Sequence, residues 1–308
     1  MFHPFLTKLV TIMKKLGLAT ALLLAMTGAQ AYQFEVQGQS EYIDNTVNDK
    51  NFTGAVQGTY YFKNVDATKG PLAEAAFLNQ ASNFSLAYNY GEYDVDADEA
   101  DFVSHVYGAK AEAYIPTQLV PVYASAAYSH TITDGKGGQD NDNGDRYALE
   151  LGAVVAPNFL VAVGYTSVAD QTSYDAFNIL SNGVAKAALE STTIGVDPNY
   201  DQDAITARTK YVGAIDGTNM AVGFEAGLVY GEDTMYNLKT DLYLTPALSV
   251  GASYAETSAN TDTDSAWGAN VNYFITPAVA VGASYVNANA VGEARDTQTV
   301  GVNAKFRF

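Results

Sequence analysis

The chain has 308 residues, 48% of them apolar and 12% aromatic (22 Tyr, 14 Phe), but only 16% charged, where a water-soluble domain carries roughly a quarter. A formal charge of −18 argues against nucleic acid as a partner, since phosphate binding needs clustered basic residues. The absence of cysteine excludes disulfides and thiolate chemistry.

The first predicted element is an export signal over 1–31. Met13-Lys14-Lys15 opens it, Leu16 to Met26 is a compact apolar run, and Ala29-Gln30-Ala31 supplies small residues for cleavage. The run is too short to span a bilayer. A start at Met13 would suffice, which leaves residues 1–12 superfluous. Removing 1–31 takes away Lys8, Lys14 and Lys15 and no acid. The mature segment, 32–308, then holds 13 basic and 34 acidic residues, a formal −21.

No later run is long and apolar enough for a helical span. Segments of about ten residues alternate apolar and polar positions instead. Tyr32, Phe34 and Val36 oppose Gln33, Glu35 and Gln37 at the start, and Val300, Val302, Ala304, Phe306 and Phe308 oppose Asn303, Lys305 and Arg307 at the end. A period of two puts such sets on opposite faces of a strand. Fourteen strands are predicted, at 32–42, 51–63, 83–93, 102–114, 122–133, 146–155, 159–168, 204–215, 220–231, 236–244, 248–257, 265–274, 279–287 and 297–308. The fold class is therefore all-β, a 14-stranded antiparallel transmembrane barrel, apolar outside and polar within.

Short turns at 156–158, 216–219, 245–247 and 275–278 alternate with longer acidic connections at 94–101, 134–145, 169–203, 258–264 and 288–296, as periplasmic turns alternate with outer loops. The connection 64–82 is long on the short side, and Leu72 to Leu78 could form a helical turn there. PNFLVAVGY, PALSVGASY and PAVAVGASY open at Pro157, Pro246 and Pro277, and each ends on a tyrosine (Tyr165, Tyr254, Tyr285) placed for an interfacial girdle.

Charges facing lipid are costly, so the strand charges are assigned inward. The predicted pore lining is Glu35, Lys63, Lys110, Glu112, Arg146, Glu150, Arg208, Lys210, Glu225, Lys239, Asp241, Lys305 and Arg307. Hairpin geometry sets Lys210 opposite Glu225; barrel closure with Phe308 beside Tyr32 sets Lys305 opposite Glu35. Such a lining either tunes an open conduit or neutralises itself and fills the lumen. Loop 169–203, with Phe177, Ile179, Leu180, Val184 and Leu189, either folds inward to constrict the pore or extends two strands as a hairpin. Outer acids such as Asp94 to Asp101 form an acidic mouth or a solvated surface. The run Asp140 to Asp145 lacks the glycine and glutamate spacing of a calcium loop, so no metal or other cofactor is expected. His105 and His130 fall on the outward face outside any catalytic motif, so no enzyme is expected.

AYQFEVQGQSEY (31–42), GTYYFKNVDATKGPLAEAAFLNQAS (58–82), NGDRYALE (143–150), NFLVAVGYTSVADQ (158–171), NYFITPAVAVGASY (272–285) and NAKFRF (303–308) resemble the Acinetobacter putative-porin family, which includes an outer-membrane channel associated with carbapenem susceptibility. The resemblance implies a small gated channel of the Gram-negative outer membrane. Its partners would be membrane lipid and lipopolysaccharide, small hydrophilic solutes and host surface proteins. It also implies recognition of Phe306 and Phe308 by the barrel-assembly machinery. The alternative function is a largely closed barrel acting as an adhesin; a weaker one is a barrel enzyme.

Overall fold

The computed structural model describes residues 31–45, 48–93, 102–135, 141–169, 174–177, 202–258, 263–290 and 296–308. Fourteen antiparallel strands close on themselves, each pairing with its sequence neighbours and the last returning to the first. They are β1 (Ala31–Asn45), β2 (Asn48–Asp66), β3 (Asn83–Tyr93), β4 (Phe102–Ile115), β5 (Val122–Gly135), β6 (Asp142–Ala156), β7 (Phe159–Ala169), β8 (Gln202–Ala214), β9 (Ala221–Tyr230), β10 (Thr234–Tyr243), β11 (Leu248–Thr257), β12 (Thr263–Thr276), β13 (Val279–Ala290) and β14 (Thr297–Arg307). Closure leaves no unpaired edge, which a strand in lipid requires. Residues 1–30 of the export signal, loop 94–101 and most of loop 169–203 lie outside the described residues.

Burial is inverted relative to a soluble protein. Leu149, Leu151, Val163 and Val302 are more than half exposed, while Glu35, Arg146 and Arg307 are buried. The apolar face is the one that meets lipid, and the charged face turns inward. Val163→Arg is therefore expected to cost about 2–4 kcal/mol of folding free energy, read as a lowered urea midpoint in lipid vesicles.

Two turns show why the hairpins keep register. Asn158 adopts φ 61° between β6 and β7, and Gly217 adopts φ 76° between β8 and β9. Both residue types tolerate the left-handed region. The Met220 carbonyl accepts from the Ile215 amide at 2.9 Å, and from there Lys210 stands opposite Glu225.

The β1–β14 seam differs from expectation by two residues. The Phe308 carbonyl accepts from the amides of both Gln33 and Phe34, so Glu35 stands opposite Arg307 and Lys305 falls opposite Gln37. Stacking of Phe34 on Phe308, with centroids 5.5 Å apart, accompanies this register. A shift of two preserves the face, and Lys305 still reaches Glu35 diagonally at 3.1 Å. Phe306 and Phe308 point outward, 40% and 51% exposed.

The long connection after β2 turns inward. Leu72–Glu74 forms a 3₁₀ turn and Ala75–Leu78 a short helix, α1, closed by Gln80 in the left-handed region at φ 47°. The Asn79 amide nitrogen donates to the carbonyls of Ala75 and Asp66, stitching the helix to the end of β2. Its apolar side chains meet several sectors of the wall. Ala75 packs with Tyr32, Tyr61 and Val65, Leu72 with Phe274 and Ala280, and Phe77 against Tyr123, Val154 and Leu160. The segment, hereafter the plug, folds into the end of the barrel that carries the short turns.

Candidate functional site

The interior above this plug is a cavity of about 440 Å³. Its wall follows from strand parity. Even positions of β4, β6 and β8 and odd positions of β1, β9 and β11 turn inward, placing charges where lipid cannot be.

On one side these charges form a connected chain. Lys110 Nζ lies 3.1 Å from Glu112. The Tyr123 hydroxyl donates to Glu112 at 2.7 Å and accepts from Arg208 Nη2 at 2.8 Å. Arg208 Nε donates to Glu150 at 2.8 Å. Arg146 is buried, with Asp175 at 3.9 Å. On the other side Lys239 meets Asp241 at 3.2 Å, and Glu35 holds both Lys305 and Arg307.

Lys210 connects wall and plug. Its ammonium lies 2.8 Å from Glu225 and 2.9 Å from Glu74, and it sits over the Phe77 ring at 5.1 Å. Glu74 also accepts from the Tyr243 hydroxyl at 2.8 Å. Arg307 makes the second attachment. Its guanidinium is held between the rings of Tyr32 and Phe274, each centroid 4.6 Å away. Nε donates to Glu35 at 2.7 Å and Nη1 to the Leu72 carbonyl at 2.8 Å. The Leu72 amide in turn donates to the Pro246 carbonyl at 2.8 Å.

Burial raises the Glu74 carboxyl and the Lys210 ammonium lowers it. The attraction wins, and Glu74 is held below its ordinary value. The carboxylate is therefore charged at neutral pH, and its pairing is lost only as pH falls through that lowered value.

From the outer side, residues 174–177 reach into the barrel. The Ala176 amide donates to Ser129 Oγ at 3.1 Å, its carbonyl accepts from Asn89 Nδ2 at 2.9 Å, and the Tyr174 amide donates to Thr131 Oγ1 at 3.0 Å. Asp175 and Phe177 line the cavity. The remainder of this loop, with Ile179, Leu180, Val184 and Leu189, lies outside the described residues.

Of the residues read from the sequence as pore-lining, Glu35, Lys110, Glu112, Arg146, Glu150, Arg208, Lys210, Glu225, Lys239, Asp241, Lys305 and Arg307 face the interior, almost all in opposite-charge pairs. Lys63 stands apart. The ladder breaks between Tyr60 and Val65, where four residues of β2 answer one of β1, Gln33, so strict alternation fails there and Lys63 is exposed. Reading the sequence missed Glu74, Tyr123, Tyr243 and Asp175, and the inward asparagines Asn270 and Asn272 beside the anticipated Asn303. His105 and His130 face outward. His105 Nδ1 pairs with the Tyr88 hydroxyl and His130 Nδ1 with Asp145, both at 2.8 Å. The outer rim carries further tyrosine–carboxylate pairs, Tyr165 with Asp203 and Tyr254 with Glu256. Among the described residues no group of three His, Cys, Asp or Glu could hold a metal ion.

Known proteins agree with this architecture. Residues 6–308 match the family described as "Putative general bacterial porin". The outer-membrane protein Omp33 of Acinetobacter baumannii is 56% identical, over 91% of this chain and 99% of its own, with a TM-score of 0.67. The toluene transporter TbuX of Ralstonia pickettii shares the fold at 9% identity, over 91% of this chain and 90% of its own, with a TM-score of 0.54. No curated protein matches. Fold and relatives agree on an outer-membrane channel in a Gram-negative envelope, and the chain belongs to the general bacterial porin family.

Proposed function

We propose that this channel passes small hydrophilic solutes by passive diffusion and rests closed, with residues 67–82 as its periplasmic gate. The observation that carries this reading is the position of Glu74. A carboxylate from a periplasmic connection stands inside the barrel, paired to Lys210 on β8 and Tyr243 on β10. The inward charges named above are the proposed pore lining, and residues 174–177 narrow the outer mouth. Deleting residues 172–198 is expected to raise conductance, because it removes that narrowing.

Among the described residues the paired lumen has no ring of one sign, so the wall itself selects weakly between ions. Cation preference would come from the acidic outer loops and fade at high salt. The mature chain refolded into planar bilayers is expected to show discrete, infrequent openings under a salt gradient. Lowering the pH below the ordinary carboxylate range should increase opening more in the wild type than in Glu74→Gln, which lacks the Glu74 charge and keeps only the wall carboxylates such as Glu225. Persistent silence from folded, inserted protein would refute the channel reading.

The outward histidines, each satisfied by a rim hydroxyl or carboxylate, support transport over catalysis. Outward Phe306 and Phe308 at the end of β14 suit recognition by the assembly machinery, and the aromatic rim suits lipopolysaccharide headgroups. The adhesin alternative rests on acidic loops outside the described residues.

A further inference from the structure

The cavity lining is neutral in sum but not in detail. Among the described residues it carries five basic and five acidic side chains, most of them paired with one another. Two on the β8–β9 sector are paired only in part, and both open to the cavity. The Arg208 side chain is 28% exposed and that of Glu225 is 36% exposed, against 2% for Arg307. Arg208 directs Nε and Nη2 to Glu150 and Tyr123, and its Nη1 meets no acceptor among the described residues. Glu225 accepts from Lys210 through Oε1, and its Oε2 meets no donor there. Neither free atom is buried.

Register sets the two side by side. Lys210 stands opposite Glu225 and Arg208 opposite Gly227, so Arg208 and Glu225 are diagonal neighbours on the inward face. Such pairs lie about 7–8 Å apart at the backbone, within reach of long side chains. On β10, Lys239 stands opposite Glu225 but closes on Asp241 at 3.2 Å instead. Signs therefore alternate along this wall, from Glu150 through Arg208 and Glu225 to Lys210.

A solute of one sign gains little from such a wall. An anion drawn to Arg208 is repelled by Glu150 and Glu225 beside it. A cation drawn to Glu225 is repelled by Arg208, Lys210 and Lys239. An uncharged solute hydrogen-bonds to both groups but adds no ion pairing. A molecule with an ammonium and a carboxylate on one carbon gives each group its counter-ion. Its carboxylate accepts from Arg208 Nη1, and its ammonium donates to Glu225 Oε2. Both bonds then carry charge on both partners, which is the stronger class. The cavity, at about 440 Å³, falls within the range that holds small ligands.

We infer that Arg208 and Glu225 form a binding station for zwitterionic α-amino acids inside the cavity. This rests on the channel reading and names its solute class. Folded mature chain in a non-ionic detergent is dialysed to equilibrium against radiolabelled alanine, which allows time for entry through rare openings. Glu74→Gln, with its gate loosened, is dialysed alongside, and the wild type is also recorded in planar bilayers. Saturable alanine binding is expected, at least tenfold tighter than that of alanine methyl ester, which keeps only the cation, or of N-acetylalanine, which keeps only the anion. Glu225→Gln should weaken alanine binding by about tenfold, the contribution of one charged hydrogen bond. Lys210 keeps Glu74 in that variant, so the wall stays paired. Arg208→Lys, which keeps the charge but moves the donor, should independently do the same; heat-modifiable gel mobility reports the folding of each. Absence of saturable binding in both wild type and Glu74→Gln, equal binding of alanine and its two derivatives, or alanine binding that neither folded variant changes would overturn the station. Silence in the bilayer from folded protein would instead overturn the channel reading beneath it.

Discussion

Glu74→Gln is expected to raise the open probability of the channel by about tenfold to a hundredfold. The substitution keeps the size of the side chain and removes its charge. The Lys210 ammonium, 2.9 Å away, then has Glu225 as its remaining carboxylate, and the Tyr243 hydroxyl exchanges a carboxylate acceptor for an amide. A hydrogen bond to a charged group contributes about 1.5–3 kcal/mol, and each 1.4 kcal/mol is a factor of ten in the equilibrium between seated and released plug. The wall should keep its stability, because Lys210 and Glu225 still neutralise each other across β8 and β9. Single-channel recording in planar bilayers measures the change. An unaltered open probability would mean that the plug is held without this ion pair, by its apolar contacts and the hydrogen bonds at Leu72.

Arg307→Leu should cost about 3–5 kcal/mol of folding free energy, as breaking a buried ion pair does. The side chain is 2% exposed and joins three parts of the fold at once. It neutralises Glu35 on β1, fills the space between the Tyr32 and Phe274 rings, and donates to the Leu72 carbonyl of the plug. Charge alone does not explain the site, since Lys305 already pairs with Glu35. Arg307→Lys should therefore recover only part of the loss, because an ammonium cannot stack flat between two rings while donating in two fixed directions. Urea unfolding in lipid vesicles gives the ranking expected: wild type, then lysine, then leucine. Equal midpoints for lysine and wild type would reduce the guanidinium to a point charge.

The barrel is legible in the sequence because lipid imposes a simple rule on each strand. Alternation placed all fourteen elements, and the hairpin turn after Ala214 carried Lys210 to Glu225 without knowledge of the rest. Legibility ended where the rule did. At the start of β1 and the end of β2 the ladder is irregular, so parity misplaced Lys63; the seam came out two residues off because closure was taken to set Phe308 beside Tyr32, whereas the continuous β1–β14 ladder sets Glu35 opposite Arg307. The plug was visible only as a connection of unexpected length with a helical centre. Its inward course depends on meeting Tyr123, Phe274, Tyr32 and Lys210 together, residues far apart in the chain that a closed barrel alone assembles. Leu72, Phe77 and Leu78 on the periplasmic side were the available signal, since apolar residues in a water-facing turn need a partner. Of the inward asparagines only Asn303 was read from the alternation of its strand; Asn270 and Asn272 were not, because an inward amide and a solvated one look alike in sequence.

In the proposed resting state the conducting barrel is shut from the periplasmic side by its own β2–β3 connection. Single-channel conductance of the refolded mature chain, recorded beside a variant in which residues 70–80 are replaced by a short glycine-serine turn, tests it most directly. Brief, rare openings in the wild type and steady, several-fold larger conductance in the variant are the result expected. Equal conductance from both folded proteins, or silence from both, would contradict it.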